Sequence, residues 1–395
     1  TVERACQALA RSKDAFFDEI DEWGGRHLIV FRLDEDAFAL TDATAMRTAF
    51  YAPNHEKLIV SSHAALVAAV TGSTKSGLMA TLNAHPSWRT KRAKYLPGAD
   101  TPWNGVTFLT ANTMLRLRDR KPVRFWPRGP IQALDVPGAA QAALDIMMRQ
   151  MAWLLNQKRP LVASLTAGLD SRTALAAMLP FKEQVSFFTY LRDGQANDQQ
   201  DADVALAIAE HFKLRFEVLK ARKAPTSRYL SGLLDEINFI SHKKGVAEMY
   251  LGAFPPDAIH VRSNVAEIGR LFYASSNLPL DPHQMASRWR QMEDEPVAVD
   301  AFARWAKAVG FDEVKEVRDL DLFYWEHRMA AWHSLVLLER DFYAEPFLPL
   351  NSRAVLSALL GVGQADRIAS TVFHRLAAHP ALDDLPVNPA AWPAA

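Results

Sequence analysis

Cysteine is almost absent: a single residue, Cys6, stands in 395. No intrachain disulfide can form, no cysteine cluster can hold zinc, and the usage fits a reducing, cytoplasmic setting. No apolar run reaches the ~20 residues that a membrane-spanning helix needs, and no signal-peptide pattern opens the chain. Neither sign of charge dominates. Lys+Arg and Asp+Glu stand at 45 each, which speaks against a broad electrostatic footprint for nucleic acid or membrane. Repeats and low-complexity tracts are missing, the scattered histidines lack metal-ligand spacing, and no Gly-x-x-x-x-Gly-Lys-Ser/Thr loop occurs.

What is present is ample apolar material, 49% of residues, enough for two cores at this length. The Pro/Gly-rich stretch from Trp126-Pro-Arg-Gly-Pro130 to Val136-Pro-Gly138 marks the best boundary. It predicts one domain over 1–128 and another over 137–395. A long helix over 139–157 follows, with Ala143, Ile146, Met147, Met151 and Leu154 on one side.

The most informative stretch is Leu161-Val-Ala-Ser-Leu-Thr-Ala-Gly-Leu-Asp-Ser-Arg172. It reads as a buried strand, a tight turn of small and hydroxyl residues, and a helix of good helix formers. Such a turn offers free backbone N–H groups at the positive end of a helix, so it can hold phosphate. Asp170 in the turn becomes a sensible neighbour of phosphate through a bridging Mg²⁺. Strand Val185–Tyr190, helix Asp198–Phe212 and strand Arg215–Leu219 follow with short links. This alternation predicts an α/β fold with a doubly wound parallel sheet and ligand at the carboxyl ends of the strands.

The run Ser164-Leu165-Thr166-Ala167-Gly168-Leu169-Asp170-Ser171-Arg172 resembles the phosphate loop of pyrophosphatase-type ATP-binding enzymes, and within them the asparagine synthetase family. Ala167 stands where that family often has glycine. The resemblance implies an adenine-nucleotide α-hydrolase-like fold, with ATP and Mg²⁺ as cofactors and cleavage between the α and β phosphates. It assigns the nucleotide to Ser164, Leu165, Thr166, Gly168, Leu169, Asp170, Ser171 and Arg172, with adenine against the strand backbone near Phe188 and Tyr190. A second match, Ala266-Glu267-Ile-Gly-Arg270, resembles the family's second acidic loop, between a strand at Ile259 and an expected helix. It makes Asp170 and Glu267 the metal ligands and lets Arg270 neutralise phosphate. The order Tyr324–Trp332, Glu345-Pro-Phe-Leu348, a closing helix Arg353–Leu360 and Leu385-Pro-Val-Asn-Pro389 resembles the family's helical C-terminal half.

Residues 1–128 resemble the amidotransferase domain that precedes the synthetase domain, in a mostly β, shortened form of its Ntn-hydrolase fold. The likeness rests on a hairpin around Asp34-Glu-Asp36 and on Asp42-Ala-Thr-Ala-Met-Arg47, Phe50-Tyr51 and Ser62-His63. The chain opens on Thr1, not Met, which points to trimming upstream. The helix-like run after Thr1 speaks against an N-terminal nucleophile there, and Cys6 is expected as a packed side chain. Glutamine hydrolysis is therefore not expected.

The remaining chemistry is acyl-adenylate formation on a substrate carboxylate, then amide formation with an amine. The substrates would be small molecules or peptides in a natural-product, modified-peptide or polysaccharide pathway, with no nucleic-acid or membrane partner; a homodimer is admitted. Family members carry a late lysine, but none follows Lys315. Arg367, His374, or Lys243 and Lys244 could take its place. Glu248 and Tyr250 resemble the position of a base in β-lactam synthetases, kin of lasso peptide cyclases. A catalytically inactive nucleotide-binding or scaffolding homologue is the alternative. A thiolating tRNA enzyme would need cysteines and basic patches that are missing.

Overall fold

A computed structural model describes residues 1–90, 93–193, 195, 197–240, 244–274 and 280–378. The first part holds β1 (Leu28–Leu33), β2 (Asp36–Thr41), β3 (Phe50–Tyr51), β4 (Val60–Ser61), β5 (Thr107–Phe108), β6 (Thr113–Arg116) and β7 (Lys121–Arg124). They form two antiparallel sheets, ordered β1-β2-β6-β7 and β4-β3-β5. The expected hairpin is there, with Leu28 opposite Thr41 and Leu33 opposite Asp36. The expectation of a mostly β part does not hold. Helices Val2–Arg11, Lys13–Asp21, Ala64–Thr71, Leu78–Ala84 and Pro86–Thr90 cover more residues than these short strands. Cys6 is a second correction. It lies on helix Val2–Arg11 but is exposed, because Ala5 and Ala8 form the buried side.

The second part is built on β8 (Leu161–Ser164), β9 (Val185–Arg192), β10 (Phe216–Ala221), β11 (Ile259–Val261) and β12 (Glu345–Phe347). Their spatial order is β10-β9-β8-β11-β12, and every pairing is parallel. The chain runs outward from β8 to β10, then returns to the other side of β8. The doubly wound sheet expected from the sequence is thus present, and its topological switch point lies between β8 and β11.

Helix Val136–Leu155 starts where Asp135 accepts from the Gly138 N–H at 2.8 Å, with Pro137 in the first turn. Ala143, Ile146, Met147, Met151 and Leu154 are buried, as their spacing requires. This helix packs on helices Leu169–Met178, Arg353–Leu360 and Thr371–Ala377. Near the C-terminus, residues Tyr324–His333 wind wider than an α-helix before α-helix Ser334–Leu338. Helix Arg353–Leu360 is capped by Ser352. The segment Leu385–Pro389 and Lys243 lie outside the described residues. No helix among the described residues is long and apolar enough to cross a membrane.

Buried polar ties fuse the two parts. The Asp42 carboxylate accepts from the backbone of Thr44, Met46 and Arg47, and from Asn351 at 2.8 Å. Glu326, with no exposed side-chain surface, takes Arg124 bidentately at 2.6 and 2.8 Å and Asn112 at 3.1 Å. The Trp325 indole donates to the Ala43 carbonyl. One continuous apolar core includes Phe17 and Phe50 from the first part and Met147, Leu175 and Phe373 from the second.

Candidate active site

The carboxyl end of β8 runs into a turn knitted by one hydroxyl. Ser171 Oγ donates toward the carbonyls of Thr166 and Gly168, both at 3.0 Å, and accepts from the Thr166 N–H at 3.1 Å. The Leu165 N–H donates to the Phe188 carbonyl on β9 at 2.8 Å, which fixes the turn to the sheet. Helix Leu169–Met178 then begins with no side chain capping it. Its first-turn N–H groups point out of the turn as a ready anion site. The helix starts at Leu169, three residues earlier than its helix formers alone indicate, so Asp170 and Ser171 sit in its first turn.

Beside it, β11 ends in a second turn. Val265 takes a left-handed backbone (φ 73°), and Ala266–Ile268 make one 3₁₀ turn. The helix expected to follow β11 is not formed there; the chain makes this single turn, packed closely against its neighbours. A Cβ at Gly269 would come within 2.8 Å of Leu359 Cβ. Arg367 then clamps this turn: it donates to the carbonyls of Gly269, Ile268 and Arg270, and pairs with Asp321 at 2.7 Å. Both side chains of that pair are only 5% exposed.

The two turns meet. Arg270 forms an ion pair with Asp170 and lies over the Phe373 ring at 4.6 Å. Burial pushes the Asp170 carboxyl up to about 7; Arg270 opposes that shift and the negative Glu267 adds to it. Two carboxylates that repel each other in a half-buried place call for a cation. Here a guanidinium supplies it, leaving Arg270 Nε without a hydrogen-bond partner. Arg172, 1% exposed, has unpartnered Nε and Nη1. His374 is held below its usual range by burial and by the nearby charges of Arg270 and Arg172. A pair of acids with orphaned guanidinium donors beside them suits Mg²⁺ and phosphate oxygens, since Mg²⁺ commonly takes one or two carboxylates and completes its shell with phosphate. Among the described residues no group of three or more His, Cys, Asp or Glu side chains could hold a metal by itself.

Of the other expected site residues, Arg367 holds the second turn and the Phe188 backbone holds the first, while the remaining side chains are engaged elsewhere. The rings of Phe188 and Tyr190 turn toward Tyr250, at 5.6 and 6.0 Å. Tyr250 is fully enclosed among Phe254, His260 and Tyr343, with Arg340 over its ring. Glu248 accepts from the N–H groups of Thr226 and Ser227 and from the Thr226 hydroxyl, at 2.9–3.0 Å. Those bonds hold its carboxyl below the usual range, which suits a loop anchor and not a base. Lys244 is tied to Asp235 at 2.6 Å and to Ser231. Arg367 is spent on the backbone of the second turn.

Three neighbours of the site went unread in the sequence. The Asp201 carboxylate accepts from the Ala167 N–H in the first turn; only its place one turn after Asp198 could have flagged it. Tyr324 senses the charge of Glu267, which together with burial raises its hydroxyl well above the ordinary value. Phe373 backs Arg270 from a helix a hundred residues downstream, and no local pattern marks it.

No protein-family model matches this chain, and no curated protein matches it. Among solved structures, NMN synthetase from Francisella tularensis aligns over 53% of this chain and 94% of its own, with 15% identity and a TM-score of 0.25. A likeness that weak carries no weight for what this chain does.

Proposed function

We propose that this chain is an ATP- and Mg²⁺-dependent amide-forming ligase of the asparagine synthetase kind. A substrate carboxylate oxygen attacks the α-phosphorus of ATP, the bond to the β-phosphate oxygen breaks, and pyrophosphate leaves. An amine then adds to the acyl carbon, loses a proton and displaces AMP. Residues 137–395 form the synthetase unit in this reading, and residues 1–128 a reduced amidotransferase-like unit packed on it.

One observation carries the proposal: Asp170, Glu267 and Arg270 converge at the switch point of a parallel sheet, from turns a hundred residues apart in sequence. Uncapped amides of helix Leu169–Met178 would take the β and γ phosphate oxygens. Arg270 would leave Asp170 and turn to the phosphate, joined by Arg172, so that donors are in place before charge develops on the leaving group. A divalent cation held by Asp170 and Glu267 would offset the charge of pyrophosphate. Arg367 positions the Glu267–Arg270 turn without touching the reacting atoms. His374, neutral beside two guanidiniums, would accept the amine proton.

Exchange of labelled pyrophosphate into ATP, screened over carboxylic acids, tests the assignment. Acid-dependent exchange supports it; ADP and phosphate as products would rule it out. A second reading, an inactive nucleotide-binding homologue, is favoured by one fact: no lysine follows Lys315. That protein would bind ATP and exchange nothing. Glu248→Gln is expected to change the exchange rate by less than about twofold, because surface loop contacts away from a site contribute little. A larger loss would return Glu248 to the catalytic set.

A further inference from the structure

Two arginines meet at the sheet without a carboxylate. Val162 and Phe188 belong to a second apolar cluster, on the face turned away from helix Leu169–Met178. Alternation along the strands carries Ser164, Tyr190 and Arg262 to that same face, at the carboxyl ends of β8, β9 and β11. Arg262 prolongs β11, its N–H donating to the Phe347 carbonyl at 2.8 Å. Val261 pairs with Ala163, so Arg262 comes level with Ser164, where the first turn begins. Arg340 reaches the same place from just beyond helix Ser334–Leu338. Its guanidinium lies over the Tyr250 ring at 5.3 Å and donates to the Tyr343 hydroxyl at 3.4 Å.

The two guanidiniums repel each other. Burial, and after it the charge of Arg340, acts to hold Arg262 below its ordinary value. Burial and both arginines push His260 well below its usual range, so it stays neutral. The other groups facing the pair are the tyrosines at 190, 250 and 343. Arg262 Nε donates to Asn264 at 2.9 Å and Arg340 Nε to the Val336 carbonyl at 3.2 Å, both neutral acceptors. Among the described residues, Nη1 and Nη2 of Arg262 and Nη2 of Arg340 have no hydrogen-bond partner. The cluster is open on one side: Ser164, Tyr190 and Arg262 are only partly buried, while Arg340, 2% exposed, forms the floor. Buried charge without counter-charge is strongly destabilising, so a pair of such cations asks for an anion.

We propose that Arg262 and Arg340 together bind a doubly charged oxyanion carried by the acid substrate, the chemistry of a phosphate monoester. Two negative charges balance two guanidiniums; a lone carboxylate would leave one cation over. Guanidinium forks match phosphate oxygens, and the carboxyl ends of a parallel sheet are where such folds take ligands. That the phosphate belongs to the substrate rests on the ligase reading. The anion site itself does not: it lies across the sheet from helix Leu169–Met178, and its test needs neither ATP nor Mg²⁺.

The experiment is calorimetric titration of the full chain, in EDTA, with methyl phosphate, inorganic phosphate and acetate, at about pH 8, where phosphate monoesters carry two charges. Both phosphates should saturate one site, and acetate should bind at least about tenfold more weakly. Arg262→Gln should weaken methyl phosphate by at least about tenfold, and Arg262→Lys, which keeps the charge but loses the fork, by less. The Arg262 side chain makes a single hydrogen bond, to Asn264 two residues away, so both variants should fold. Arg340→Gln should act as Arg262→Gln does; should that buried change unfold the chain, the Arg262 variants carry the test. No saturation below about 10 mM, acetate binding as tightly as methyl phosphate, or Arg262→Gln binding as before overturns the proposal. Pyrophosphate exchange can fail while this site stands, and the reverse, so each reading is judged by its own experiment.

Discussion

Asp170→Ala is expected to abolish pyrophosphate exchange, with a loss of at least ~100-fold, the scale seen when one preorganised charge-stabilising group is removed. The fold should persist. Asp170 is held by one ion pair, to Arg270, while the turn around it is fixed by Ser171 and by Leu165 on β9. Asp170→Asn separates charge from shape: it keeps an acceptor for Arg270 but cannot neutralise a cation, and exchange should fall nearly as far. The same residue sets a pH dependence. Burial raises its carboxyl to about 7 in the free protein, above the unfolded value, so ionised Asp170 is a liability to folding that grows as pH rises toward 7. Cation binding needs the carboxylate. Mg²⁺ must therefore displace a proton, and apparent Mg²⁺ affinity should fall by roughly tenfold per unit as pH drops below about 7. Titrations in buffers of different ionisation enthalpy count that proton directly. A Mg²⁺ affinity that stays flat from pH 5 to 8 would separate Asp170 from the metal.

Glu326→Ala should destabilise the whole chain by roughly 3–5 kcal/mol, the cost of breaking a buried pair and leaving the partner charge behind. Glu326 has no exposed side-chain surface and accepts from both Arg124 and Asn112. Arg124 is only 15% exposed, so water cannot easily replace the lost carboxylate. These residues join the first part of the chain to the second, and the loss falls on both together. Thermal melting should show one transition displaced downward by about 5 °C for a chain this long. Glu326→Gln keeps an acceptor and should cost clearly less. Two separated transitions with only the first displaced would mean that the parts unfold independently, and that this buried network does not unite them.

Much of this architecture is legible along the chain. Leu161–Ser164 reads as a buried strand because four apolar or small residues end in a Gly/Ser turn, while helix Arg353–Leu360 is expected from the resemblance of the C-terminal order. The alternation from β8 to β10 dictates the parallel sheet, and the sheet brings Asp170 to Glu267. Other features depend on what arrives from far away. Gly269 packs where any side chain would meet Leu359, and Leu359 lies ninety residues on. Arg367 reads as a free cation until three carbonyls of a distant turn are seen to occupy it. Cys6 is one of many small residues on its helix, and only the packing of Ala5 and Ala8 decides which side turns inward. The first part reads as β from its hairpin, yet five short helices outweigh its strands, and of these the run after Thr1 is the one that already reads as helix.

The most direct test is the binding of inorganic pyrophosphate with and without Mg²⁺. Calorimetry on the unaltered chain should show one site that needs the metal, and that is lost in both Asp170→Asn and Glu267→Gln, with the double variant no worse than either alone because the two acids serve one ion. Pyrophosphate binding that ignores Mg²⁺, or that survives both substitutions, would contradict the account.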